Sequence, residues 1–149
     1  MSMFDNFTHS TTISFNRPDY HYDDNTGDIV IGATNEHTFN APFLLSEYCT
    51  MFDIIYKQGL TTVLIKRYNF EVNEEVNEKV QNGIEVKECD EKEFSIVKVT
   101  LTPPESNMFK NSVLECQAQM KLYMPDNEIL YSDAYDIDVK SPLDNENAI

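Results

Sequence analysis

The sequence predicts an all-β chain, an antiparallel sandwich of about seven strands with one short helical turn and an extended N-terminal arm. Three patterns predict it. Leu114, Cys116, Ala118, Met120, Leu122 and Met124 alternate with Glu115, Gln117, Gln119, Lys121 and Tyr123. That is the period of two of a strand with one dry and one wet face. The runs 50–56 and 61–66, rich in Ile, Thr and Val, are separated by Lys57-Gln58-Gly59-Leu60, a hairpin signal. Finally, strands do not alternate with helices, so a parallel sheet is not expected.

Taken in order, residues 1–27 form the expected arm: Phe4, Phe7, Ile13 and Phe15 are spaced among polar residues, followed by Pro18 and Gly27. Such a stretch makes no core alone. It reads either as a frayed terminus adding one edge strand, or as an arm that orders on a neighbour. The sandwich domain is expected over 28–140, beginning with Asp28-Ile29-Val30-Ile31 after a turn at Asn25-Thr26-Gly27.

Residues 71–93 are charged, with Val72, Val76 and Val80 at helical spacing. They read as a solvated loop at one end of the domain, holding at most a short helix and a short strand at 84–86. Residues 94–101 carry apolar side chains on both faces and read as a central strand. Thr102 with Glu105 has the form of a capping box, Pro103 suits a first helical position, and Met108 and Phe109 are expected to turn inward. Pro125-Asp126-Asn127-Glu128 turns the alternating strand into a second long one through Tyr131, Tyr135, Ile137 and Val139. A polar tail covers 141–149. The strand count argues for the immunoglobulin-like type of sandwich, although no Trp is present.

Composition bounds the function. With 26 acidic and 11 basic residues the net charge is −15, a field that repels phosphate backbones and anionic lipid. The densest basic stretch, Lys66-Arg67, is too small to track a phosphate chain. Neither nucleic acid nor membrane is therefore an expected partner. No apolar run reaches the ~18 residues of a spanning helix, and the N-terminus lacks signal-peptide regions. Cys49, Cys89 and Cys116 are odd in number and without metal spacing, and read as reduced thiols, Cys49 and Cys116 in buried strand positions.

No catalytic residue, cofactor site or metal site is nominated. His9, His21 and His37 lack a second ligand at i+3 or i+4. His21 lies near Asp19, Asp23 and Asp24, but the spacing around Gly27 is wrong for a calcium loop. Glu74-Glu75 and Asp90-Glu91 stand in polar runs with nothing to raise a carboxyl pKa. Candidate contact residues are Phe4, Phe7, Phe15, Tyr20, Tyr22 and Tyr123, because amphipathic aromatics in polar settings are enriched at interfaces. The chain is expected to be a binding or structural part and not an enzyme.

Three stretches carry a resemblance: the hairpin FDIIYKQGLTTVLIK, the step VKVTLTPPESNMF, and the closing strands LECQAQMKLYMPDNEILYSDAYDIDV with Ser132 near the middle of the last. From Met51 to Leu143 the chain resembles small β-sandwich virion proteins of Gram-positive phages and prophages, similar to the N-terminal domain of baseplate upper proteins. Their strand-to-turn step reads L-T-P-x-x-T-x-x-F, and this chain departs from it with Ser106 and Asn107 near the expected Thr and with a longer arm. The resemblance implies a non-enzymatic virion component of head, tail or baseplate, assembled in the host cytoplasm. Its partners would be other virion proteins and further copies of itself in a symmetric assembly. A different reading, resting on the charge alone, is an acidic inhibitor or adaptor that binds a basic host protein. A carbohydrate-binding sandwich is disfavoured by the lack of Trp.

Overall fold

A computed structural model describes residues 12–13, 28–71, 80–111 and 115–142. These residues are mostly strand, arranged in two sheets. The strands are β1 (Thr12–Ile13), β2 (Asp28–Val30), β3 (Asn35–Ala41), β4 (Met51–Gln58), β5 (Thr61–Asn69), β6 (Val80–Gln81), β7 (Ile84–Cys89), β8 (Phe94–Leu101), β9 (Cys116–Tyr123), β10 (Ile129–Ser132) and β11 (Tyr135–Lys140). Two four-residue helical turns interrupt them, α1 (Leu45–Tyr48) and α2 (Pro103–Ser106).

The seven-stranded sheet is built around β9. One side of β9 pairs with β4, which pairs with β5; the other side pairs with β10 near its end and β11 near its start. The short β1 and β2 complete that edge, running parallel to β10 and β11. The four-stranded sheet runs β3-β8-β7-β6, antiparallel throughout. The inner faces share one core, in which Phe39 and His37 of β3 meet Tyr135 of β11 and Tyr56 of β4.

Local chemistry explains the turns. Gly59 supplies a φ of 60° at the first central position of the β4–β5 turn, as a type II′ turn requires. Asn82 and Gly83, at φ 52° and 74°, both sit in the left-handed region between β6 and β7, the signature of a type I′ turn. The Thr102–Glu105 capping box opens α2. After Ser132 the last strand breaks: the Ser132 hydroxyl accepts from Met120 N and donates to Asp133 O, both at 2.9 Å. A side chain there takes over ladder bonds that the backbone abandons.

Strand β5 is an edge, and its exposure is managed locally. Its register against β4 slips by one residue between Tyr56 and Lys57, leaving Val63 as a bulge. Lys66 points inward. Further along, the Gln81 amide exchanges two bonds with the Asn69 backbone (2.9 and 2.7 Å), and Asn82 donates to Arg67 O at 2.6 Å.

Several expectations are corrected. The described residues hold eleven strands, not about seven, and more than the one helical turn expected. The sheet is not wholly antiparallel, because β1 runs parallel to β10 and β2 parallel to β11. Part of the 71–93 interval is not an end loop: β6 and β7 form half of the second sheet, with Ile84 fully buried. The second closing strand is two strands, split at Ser132. Cys49 is buried but caps α1 and does not lie in a strand. Phe109 turns inward, whereas Met108 stays 51% exposed. The central position of β8 and the alternation of β9 are as read.

Candidate contact surface

On the outer face of the large sheet, register brings the odd-numbered side chains of β4, β5 and β9 into rows. Asn69, Met51, Tyr123 and Ile129 stand side by side, as do Arg67, Asp53, Lys121 and Tyr131. The Asp53 carboxylate is 3% exposed, so it must be paired to remain charged. Arg67 grips it with a fork, Nε to Oδ1 at 2.7 Å and Nη2 to Oδ2 at 3.0 Å. The Tyr123 hydroxyl donates to Asp53 Oδ2 at 2.8 Å and accepts from Arg67 Nη2 at 3.1 Å. The hydrogen bond to Asp53 raises the Arg67 pKa.

Lys121 stands next to this cluster. Its Nζ lies 5.0 Å from the Tyr123 ring centroid and 6.0 Å from that of Tyr131, within cation–π range. The Tyr123 hydroxyl is the main cause of its raised pKa. Arg67 also covers the Tyr123 ring, at 5.2 Å. Apolar side chains rim the site: Ile129 is 40% and Ile65 54% exposed, and Met51 and Ile55 are half-buried. Aromatic, cationic and apolar groups on a rigid sheet form a surface suited to contact, with little water-exclusion to support chemistry.

Of the nominated contact residues, Tyr123 lies at the centre of this surface. Phe4, Phe7, Phe15, Tyr20 and Tyr22 lie outside the described residues. Asp53, Arg67, Lys121 and Tyr131 were not nominated. The period-two reading of β9 already placed Lys121 on the face of Tyr123; the cross-strand neighbours follow only from register.

Two other polar clusters are structural. Lys66 sits at the open edge between the sheets, where Ile65, Asn82, Gly83 and Thr100 line a groove of about 560 Å³. Its Nζ donates to Thr100 O at 2.7 Å and Glu105 Oε1 at 2.9 Å. Burial pushes the Glu105 carboxyl up, but the Thr102 backbone N–H and the Lys66 ammonium together hold it below the usual range. In the core, the fully buried His37 shares a 2.9 Å hydrogen bond between Nδ1 and the Tyr56 hydroxyl, and its Nε2 lies 3.5 Å from Asp28 O. Burial lowers its pKa.

Cys49 and Cys116 are the opposite of reactive thiols. Burial pushes Cys49 up to about 12 and Cys116 to about 11, which suppresses thiolate formation. Among the described residues no group of three or more His, Cys, Asp or Glu side chains is placed to hold a metal ion. No described helix is long and apolar enough to cross a membrane. No protein-family model and no curated protein matches the chain.

Proposed function

We propose that this chain is a non-enzymatic structural or accessory component of a bacteriophage particle, an immunoglobulin-like sandwich acting through protein–protein contacts. The observation that carries the contact role is the Tyr123–Lys121–Tyr131 surface, a cationic and aromatic face on a chain of net charge −15. The placement in a virion rests on the resemblance of the β4–β5 hairpin, the α2 step and the closing strands to small phage sandwich proteins. Head, tail and baseplate all fit this role, and assembly would take place in the host cytoplasm.

Mass spectrometry of purified particles from the source phage or induced prophage tests this. The reading expects the chain in a fixed stoichiometry: hundreds of copies on a head or tail tube, or a few dozen at most at the neck or baseplate. Its absence from particles would reject the virion role. The net charge would then favour the second reading, an acidic inhibitor or adaptor for a basic host protein.

A further inference from the structure

Charge is distributed unevenly over this molecule. Strands β4, β5 and β9 contain a single acidic residue, Asp53, and Arg67 and Tyr123 neutralise it. The outer face of the same strands presents Lys57, Arg67 and Lys121. Acidic side chains surround this patch. Asp136 of β11 lies on the same outer face at the far end of β9, accepting from Gln117 Nε2 at 3.0 Å in the row of Lys57. Asp138 is exposed on β11, Asp90, Glu91 and Glu93 between β7 and β8, and Asp126 and Glu128 between β9 and β10.

None of the ion pairs among the described residues includes Lys121. Its ammonium is held instead over two aromatic rings, charged and open to an incoming carboxylate. Two copies meeting through their Tyr123–Lys121–Tyr131 patches would set lysine against lysine, and two acidic surfaces likewise repel. The arrangement that satisfies both is heterologous, with the cationic face of one copy on an acidic surface of the next. Exposed Ile129 and Ile65 and the two tyrosine rings supply apolar area at the centre of that contact.

We infer that the Tyr123–Lys121–Tyr131 face is a self-assembly surface that takes a carboxylate-bearing surface of a second copy of this chain, head to tail. Such contacts build rings when the rotation closes and filaments when it does not. The inference deepens the proposed structural role by naming the partner. It is tested on purified protein alone, so its failure can be told apart from absence from the particle.

The experiment combines sedimentation velocity with zero-length carbodiimide cross-linking of an equal mixture of ¹⁴N- and ¹⁵N-labelled full-length protein. The expected result is concentration-dependent self-association and mixed-isotope cross-links joining Lys121 to an Asp or Glu of another copy. Lys121→Glu should weaken association by at least about tenfold, with Lys57→Glu acting in the same direction. Lys87→Glu, on the other sheet, should leave it unchanged, and circular dichroism would confirm that each variant is folded. A protein that stays monomeric at every concentration would overturn the inference. So would an oligomer whose cross-links never include Lys121, or one unaffected by Lys121→Glu.

Discussion

Lys66 and Glu105 face each other across the open edge of the sandwich, Nζ to Oε1 at 2.9 Å, joining an edge strand of one sheet to the helical turn that follows the centre of the other. Lys66 is 4% exposed and Glu105 24%, so solvent screens the pair only on one side. Lys66→Met should cost about 2 kcal/mol, below the ~3–5 kcal/mol of a fully buried pair because Glu105 keeps water and its Thr102 bonds. Urea denaturation measures it. Removing the inward lysine from the edge strand should also raise the tendency to aggregate, seen as increased light scattering on storage.

Stability should fall on mild acidification because of His37. Its folded-state pKa lies below the usual 6.5, so the unfolded chain binds the proton more readily. The contribution is complete above about 6.5 and is lost as pH falls from there through the folded pKa. His37→Phe should flatten that part of the stability–pH curve, even though it lowers stability at pH 8 by leaving the Tyr56 hydroxyl unpaired. Denaturation midpoints between pH 8 and 5 compare the two; an unchanged slope would remove His37 as the cause. Glu105 acts at lower pH in the same sense: its depressed carboxyl contributes above the unfolded value of about 4.3 and stops contributing as pH falls through its folded pKa.

Gly83 cannot be replaced. A Cβ there would stand 2.6 Å from Thr100 O, at a φ of +74°. Gly83→Ala should cost more than the ~1–2 kcal/mol of a left-handed non-glycine residue, since the clash is with backbone. Thermal unfolding should show a fall of several degrees at least.

Ser95 is fully buried, accepting from Leu45 N at 3.0 Å and donating to Phe43 O at 2.9 Å. Ser95→Ala removes both bonds and should cost about 2 kcal/mol. Ser95→Cys, with a weaker donor of similar shape, should recover part of it in the same assay.

Tyr123→Phe separates structure from contact. The loss of the hydroxyl bond to Asp53 should cost about 1 kcal/mol in stability, while the ring beneath Lys121 remains. Tyr123→Ala removes both and should weaken self-association well beyond what Tyr123→Phe does, as read by sedimentation velocity.

Elements whose burial is written in side-chain period were legible in the sequence. β9 shows its dry face as Cys116, Ala118, Met120 and Leu122, and the Gly59 turn and Thr102 cap carry their own chemistry. β3 was invisible because its inward positions are Asn35, His37, Phe39 and Ala41, two of them polar residues buried only because Val30, Ala33 and Tyr56 satisfy them. β7 was legible only in part: Ile84 and Val86 announce a short strand, but the charged residues that follow hide its reach to Cys89 and its place in the second sheet. The contact surface was half legible. Tyr123 stands out as an aromatic on a wet face, but Arg67, Asp53 and Tyr131 reach it from three other strands, and only register brings them together.

Hydroxyl-radical footprinting of the chain, free at low concentration and within purified particles, reads whether this face is covered in the assembly. Tyr123, Tyr131, Ile129 and Ile65 should be modified in the free protein and protected in the particle. Equal modification of these residues in both states would contradict the contact role, since a component held by other surfaces would leave this face open.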